Sequence, residues 1–482
     1  MLAAAAPGPA EFRAMLHLVP HLVTQRRARL WLCARDVDDA QLDSITLEVN
    51  GVDVPVPARG WRRFPGETSS QRWRWAPAMP LHYQFIDDPT LAPGRTYEAT
   101  AQFAGEEQAR ARFTTLPEQL GDETRPLRVL LSSCYFTGNK RSRLAATLSA
   151  RLERNGLRPH LRVWAGDQVY LDAPWYEFTI KTHSVSELER LHCTAYARTW
   201  FAEQGLSTVL PNGANVFCTD DHELWNNAPD PSSVARDTRK RVTREAWLDL
   251  GRQLGQAFQG DTGTAQRFSV PPVDFLVLDV RVHRTEHHES LFSTAQWAEL
   301  RDWAAQPRGL GVLVVGQPVF HPRTRSRGAN ADYHLADYTA DYTELMDLLS
   351  RASRSTVVLS GDVHFSRVAW ASFPGGGGSS ADTRVTEFIS SPLSMVAGGR
   401  LLSLLDGWMP APQKMSLPAT HSFNRATMQT DQRLRSTAEG AMLVEFYRRG
   451  WRAFCSVTHW RLQDLERPQP HFRQEYFVGT IT

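Results

Sequence analysis

Between residues 127 and 364 the sequence repeatedly builds a short, nearly continuous apolar run and closes it on residues able to bind a metal ion. Leu127 to Ser133 ends at Cys134, and Leu161 to Ala165 leads into Gly166-Asp167-Gln168-Val169-Tyr170. Asn215 to Cys218 leads into Asp220-Asp221-His222-Glu223, and Thr356 to Leu359 into Gly361-Asp362-Val363-His364. Two further runs, Phe275 to Val280 and Gly311 to Val315, have the same texture. Apolar runs without alternation are strands buried on both faces, which requires a sheet with helices packed around it and predicts an α/β fold. In such sheets the strands open at their C-terminal ends into the crevice where ligands bind. One coincidence of this kind means little. Four describe a single site assembled from distant segments.

The intervening stretches predict helices at Arg143 to Arg154, Thr238 to Gln259, Thr294 to Ala305 and Thr339 to Arg351, with helical insertions at about 182–210 and 228–270. Gly375 to Gly378 with Ser379-Ser380 reads as a flexible connector, because it lacks the Lys-Ser/Thr and following helix of a phosphate-cradling loop. From Ala441 the pattern alternates again (Met442, Val444, Phe446), predicting strands that close the same domain at Thr482.

Before residue 117 the pattern is different. Ile45, Leu47 and Val49 alternate with polar residues, Asn50-Gly51 signals a type I′ turn, and Val52, Val54 and Val56 alternate back, which predicts a hairpin. Leu91-Ala92-Pro93 followed by Tyr97 has the spacing of the tyrosine-bearing corner of fibronectin-like sandwiches. The expected organisation is an N-terminal tail at 1–20, a small all-β sandwich at 21–117, a polar linker at 118–126 and an α/β domain at 127–482.

A net charge of only +2 gives no nucleic-acid signal. No stretch approaches the ~18 apolar residues of a membrane span. The start lacks a basic n-region and a long apolar core, and Arg26-Arg27 precedes an apolar stretch of only Leu30 to Ala34, so a surface strand is expected there and a cytoplasmic location for the chain. The five cysteines are scattered and include no CxxC pair, which argues against a disulfide framework or a zinc ribbon. Four read as core residues; Cys134 stands apart because of its position.

Ligand chemistry narrows the metal. A phenolate and a thiolate beside a carboxylate and an imidazole suit a strongly Lewis-acidic ion such as Fe(III), whereas a neighbouring position offering only carboxylates suits a hard ion such as Ca²⁺. Two unlike ions side by side clamp the attacking and leaving oxygens of an in-line displacement, and hydrolysis of a small phosphate ester is the expected reaction.

At this point a resemblance becomes specific. Gly166-Asp167-Gln168-Val169-Tyr170 resembles the GDxxY motif of purple acid phosphatases and of PhoD-type alkaline phosphatases in the calcineurin-like metallophosphoesterase superfamily. Asp220 to Glu223 followed by Asn226-Asn227, Ser360 to His364, and Ser133-Cys134 resemble the PhoD forms of their motifs. Leu278 to Arg281, Ser390 to Leu393 and the β region ending at Phe113 to Pro117 resemble PhoD blocks as well. The resemblance implies a metallophosphoesterase-type sheet core flanked by helices, with an Fe(III) site of Cys134, Asp167, Tyr170 and His364. It also implies a Ca²⁺ site of Asp167, Asp221 and Asp362, with Asp167 bridging. His222 would stand near the leaving-group oxygen as general acid, and Asn226, Asn227 and Arg281 would contact phosphate or support the ligands. Exported members of the family carry a signal peptide that is not seen here.

Blander readings exist for each residue. An isolated Cys134 would be a buried thiol and an isolated Tyr170 a core aromatic. Asp220 could bond to loop amides, Asp172 could support the ligands, and Arg281 could pair with Asp279. His287, His288, His321 and His334 read as surface or channel residues. Against hydrolysis of a simple monoester stand two alternatives: a phosphodiesterase with a dedicated lipid or nucleotide substrate, and a degenerate metal-binding scaffold.

Overall fold

The computed structural model describes residues 16–64, 81–324, 333–373, 383–394, 414–417, 420 and 426–481. The expected tail to residue 15 and the Gly375 to Ser380 connector lie outside the described residues. The fold is a mixed α/β arrangement of several sheets and comparatively few helices, and the chain divides into two units.

The first unit comprises residues up to Thr115 together with His183–Asn215. Its strands form two four-stranded sheets. In one, Leu16–Val23, Ala28–Arg35 and Leu81–Asp88 pair antiparallel in that order, so the stretch read as a tail to residue 20 carries the start of a strand. Arg26 and Arg27 sit at the turn between the first two strands. In the other, the hairpin Ile45–Val49 with Val52–Val54 turns at Asn50-Gly51, both in the left-handed region (φ 49° and 75°), as a type I′ turn demands. The Tyr97 hydroxyl accepts the Ala92 N–H at 2.7 Å. The helix Val185–Trp200 starts at a Ser184/Glu187 capping box. It lies in this unit because its aromatic end packs here: Phe201 stacks on His17 and Trp200 meets Trp31 edge-on. His183–Asn215, which takes in most of the helical insertion expected at about 182–210, groups with the N-terminal strands.

The second unit holds Leu116–Thr182 and Val216–Thr482 and contains two large sheets. The six-stranded sheet runs in the order Ala214–Cys218, Leu161–Ala165, Leu127–Ser132, Gly440–Arg449, Arg452–Arg461, Phe472–Thr480. Leu161–Ala165 is parallel to Leu127–Ser132, and the C-terminal strands add antiparallel. In the eight-stranded sheet, Val273–Val277, Leu310–Val314, Thr356–Ser360 and Thr383–Ile389 are parallel neighbours flanked by antiparallel strands. The two sheets face each other across apolar side chains, with Phe275 edge-on to Phe446 and Phe388 against Tyr476.

Four helices of this unit follow the apolar periodicity, Leu144–Arg154, Arg241–Phe258, Thr294–Ala304 and Thr339–Arg351, and a short one spans Trp175–Ile180. Arg241–Phe258 buries Trp247, Leu250, Gly251, Leu254 and Phe258 on one stripe. The 228–270 segment is not wholly helical, because Gln266–Val270 pairs with Val273–Val277 as an edge strand. Gly361 is required where the sheets converge, since a Cβ there would collide with the Ala165 carbonyl and the Ser133 side chain. That close approach brings the end of Thr356–Ser360 against the ends of Leu127–Ser132 and Leu161–Ala165.

Candidate metal centre

Three of the strand ends turn sharply where they present their ligand side chains. Cys134, Asp167, Asp362 and His364 all occupy the left-handed region, with φ of 54°, 56°, 65° and 48°. Non-glycine residues adopt this conformation at a cost, and clusters of such residues mark functional sites. Ligand atoms of Cys134, Asp167 and His364 lie within 4.8 Å of one another, as do those of Asp167, Asp221 and His222, and those of Asp220, Asp221 and Asp362. Asp167 and Asp221 each belong to two of these groups, so the three merge into one centre.

Around Cys134 the packing is polar. Its Sγ lies 3.4 Å from Asp167 Oδ2 and 3.2 Å from the Asp362 carbonyl, and the Ser391 hydroxyl sits 3.1 Å away. Tyr170 is buried between Phe136 and His222, stacking on the imidazole at 4.2 Å. Its hydroxyl makes no hydrogen bond of good geometry although the Cys134 thiol is within its reach, and burial, then the charges of Cys134, Asp167 and Asp221, push it well above the usual tyrosine range.

Glu223, which the sequence reading did not assign, organises the loops. Its Oε2 accepts the N–H groups of Asp167 and Asp220, both at 2.9 Å, and its Oε1 accepts those of Gln168 at 2.6 Å and Val169 at 3.4 Å. Both oxygens of this buried carboxylate are thus occupied by backbone donors from two loops. Asp167 Oδ1 in turn accepts the His222 N–H at 3.1 Å.

Asp220 and Asp221 diverge. Asp220 Oδ1 accepts from Arg281 Nε in a wholly buried ion pair, whose guanidinium also donates to the Ala228 carbonyl at 2.9 Å. Arg281 therefore turns to Asp220 with its side chain, while Asp279 takes the backbone N–H groups of Arg281 and Val282. Asp221 Oδ2 accepts the Asn227 N–H at 2.6 Å. His222 Nδ1 is 2.8 Å from Asp172 Oδ1, and Asp172 Oδ2 accepts the Asn226 N–H at 2.8 Å. Asn226 and Asn227 thus reach the site through their backbones, and the Asn227 side-chain oxygen is buried without a partner.

The electrostatics are those of acids crowded out of water. Burial, then the surrounding carboxylates, pushes Asp167 well above the usual carboxylate range, although His222 opposes it. Burial followed by the charges of Asp167 and Asp362 likewise lifts the Cys134 thiol, and burial lifts Asp220 against the pull of Arg281. Burial works against a charged His222, but Asp172, Asp221 and Asp167 outweigh it and hold the imidazolium well above its ordinary range. His364 is lowered to about 4 by burial and the His222 charge, which leaves it neutral and competent as a ligand.

These residues fit a bound cation. Asp220 Oδ2, Asp221 Oδ1 and the Tyr170 hydroxyl are buried polar oxygens without a hydrogen-bond partner, a costly state that a metal ion would relieve. The donor set is soft and aromatic on the Cys134 and Tyr170 side and all-oxygen on the Asp221 and Asp362 side. A groove of about 560 Å³ elsewhere in this unit is lined by Arg128, Glu445, Arg449 and Glu475, which are paired with one another or with Glu123, and contains none of these residues.

No protein-family model matches the chain, and no curated protein matches it in sequence. Among solved structures its fold is similar to that of PhoD, at 13% identity and a TM-score of 0.60, covering 98% of this chain and 92% of that one. It is also similar to a purple acid phosphatase from yellow lupin (Lupinus luteus) seeds, at 9% identity and a TM-score of 0.57, covering 96% of this chain and 74% of that one. At these identities the likeness establishes the fold, and the chemistry must be argued from the residues above.

Proposed function

We propose that the chain is a metal-dependent hydrolase of phosphate esters of the PhoD kind, working through two metal ions. The observation that carries this reading is the merging of three ligand groups through Asp167 and Asp221 at the ends of strands from two sheets. The likeness of the fold to PhoD and to a purple acid phosphatase supports the same reading.

Cys134, Asp167, Tyr170 and His364 would hold an Fe(III) ion, and Asp167, Asp221 and Asp362 a Ca²⁺ ion or another hard divalent cation. The ions would supply Lewis acidity and an activated water. The chain's own residues do the rest. Asp172 holds the Nδ1 edge of the His222 ring and stabilises its protonated form, so that the ring can donate a proton to the departing ester oxygen. His222 is the more exposed member of the pair, its side chain 17% accessible against 5% for Asp172, as a group that meets substrate must be. Arg281 neutralises Asp220 and lies 3.9 Å from Asp221, limiting the repulsion among the acids.

Elemental analysis of the purified protein, run beside hydrolysis of a chromogenic phosphate monoester and its diester counterpart, tests the proposal. Bound iron with a second metal and turnover of either ester is the expected result. Folded protein that binds no metal and hydrolyses neither ester would sink it.

A further inference from the structure

Asp220 and Asp362 are both buried acids beside Asp221, yet their supports are chemically opposite. Asp220 receives a guanidinium directly. Asp362 Oδ2 instead accepts from the side-chain amide of Gln317, Nε2 to Oδ2 at 2.9 Å, and Gln317 is wholly buried. Gln317 lies just beyond the strand Leu310–Val314, the neighbour of the strand that delivers Asp362.

The orientation of that amide is fixed. Gln317 Oε1 accepts from Arg284 Nη2 at 2.6 Å, and a guanidinium can only donate, so the amide oxygen must face Arg284 and the NH₂ must face Asp362. Arg284 is itself held at three other points. Its Nε donates to the Val280 carbonyl at 3.1 Å, its Nη1 to the Tyr333 carbonyl at 3.2 Å, and its guanidinium lies over the Tyr338 ring at 4.9 Å. The Tyr333 carbonyl also accepts from Gln317 Nε2 at 3.3 Å.

We propose that Gln317, aligned by Arg284, is a positioning residue that aims the Asp362 carboxylate at a divalent cation. A guanidinium placed directly on Asp362 would cancel the charge that attracts the ion, as Arg281 does for Asp220. Gln317 transmits the rigidity of Arg284 to the carboxylate through one neutral amide. Supports of this type govern ligand basicity and orientation, and removing one weakens metal affinity by roughly 10-fold to 100-fold. The inference rests on the two-metal reading above and names the device that serves its second position.

The test titrates Ca²⁺ into chelator-treated protein by calorimetry, comparing wild type with Gln317→Leu, Gln317→Glu and Asp362→Asn, with melting temperature measured before metal is added. Gln317→Leu removes the donor and keeps the bulk, and should weaken Ca²⁺ binding by roughly 10-fold to 100-fold. Gln317→Glu keeps a partner for Arg284 but turns an acceptor toward Asp362, so it should lose at least as much affinity with little change in melting temperature. Ca²⁺ binding within twofold of wild type in both Gln317 variants, with Asp362→Asn impaired, would overturn the positioning role while leaving the metal site intact. Unchanged binding in Asp362→Asn as well would overturn the metal-site reading and the positioning role together.

Discussion

His222 Nδ1 and Asp172 Oδ1 stand 2.8 Å apart, and the second oxygen of the same carboxylate accepts the Asn226 N–H. The carboxylate is thereby fixed at both ends, and the imidazole is oriented and favoured in its charged form. His222→Ala should keep its metals and lose about 10²-fold to 10⁴-fold in rate, the range for a general acid. The loss should shrink for aryl esters with good leaving groups, and Asp172→Asn should show the same trend more weakly. Rates measured across esters of graded leaving-group basicity decide the matter; an equal loss for good and poor leaving groups would exclude the acid role.

Asp167 belongs to two of the three ligand groups, the one with Cys134 and His364 and the one with Asp221 and His222. Asp167→Asn should therefore lower the content of both metals and abolish turnover, with the far-UV circular dichroism unchanged. Near wild-type turnover in folded, metal-supplied Asp167→Asn would show the site to be wrongly assigned.

The strand ends were legible in the sequence because a doubly buried strand leaves a nearly continuous apolar run, and Cys134, Asp167, Asp221, Asp362 and His364 each follow one within a few residues. Glu223 and Gln317 were not assigned roles, for a physical reason. Their importance lies in which atoms of other segments they meet, four backbone N–H groups for Glu223 and the Arg284 and Asp362 side chains for Gln317, and local spacing does not encode those meetings. The helix Val185–Trp200 was visible as a helix, but its amphipathic face does not say which apolar surface it covers, so its grouping with the N-terminal strands emerged only from the stacking of Phe201 on His17.

Burial raises Asp167, Asp220 and Glu223 above the ordinary carboxylate range. An acid whose folded pKa lies above its unfolded value contributes nothing unfavourable while protonated in both states, and destabilises the fold as pH rises from its unfolded pKa toward its folded one. Buried histidines held neutral, His17, His192, His321 and His364 among them, work the opposite way below about pH 6.5, so chelator-treated protein should lose melting temperature as pH is raised from about 7 toward about 8. Added metal should flatten that slope, because a cation makes the ionised form the favoured one. Parallel melting curves with and without metal across this range would contradict it.

Glu223→Gln tests the loop organiser. A glutamine offers one acceptor oxygen where the carboxylate offers two, and its NH₂ would face backbone N–H donors that now lie 2.9 Å from Oε2, or those on the Oε1 side if flipped. A loss of about 3 kcal/mol is expected from charged hydrogen bonds broken in a buried place. Denaturant unfolding measures it, and a change under about 0.5 kcal/mol, the usual size at an unremarkable surface position, would show that the loops hold without Glu223.

Tyr170 offers a spectroscopic reading of the first metal position. Its hydroxyl is buried, lacks a hydrogen-bond partner and lies beside Cys134, Asp167 and Asp221, so an Fe(III) ion among these groups would bind it as phenolate. Phenolate donation to Fe(III) gives visible absorption that Ca²⁺, Mg²⁺ or Zn²⁺ does not produce. Thiolate from Cys134 would add a band of its own, so colour alone does not single out the tyrosine. The informative comparison is wild type against Tyr170→Phe and Cys134→Ser, each with its iron content measured so that loss of colour is separated from loss of metal. Tyr170→Phe should remove one component of the spectrum while iron remains, because Cys134, Asp167 and His364 still converge within 4.8 Å. Cys134→Ser should remove another component or release the iron. A colourless iron-loaded wild type, or a spectrum unchanged in Tyr170→Phe, would return Tyr170 to the role of an aromatic packed against His222 and Phe136.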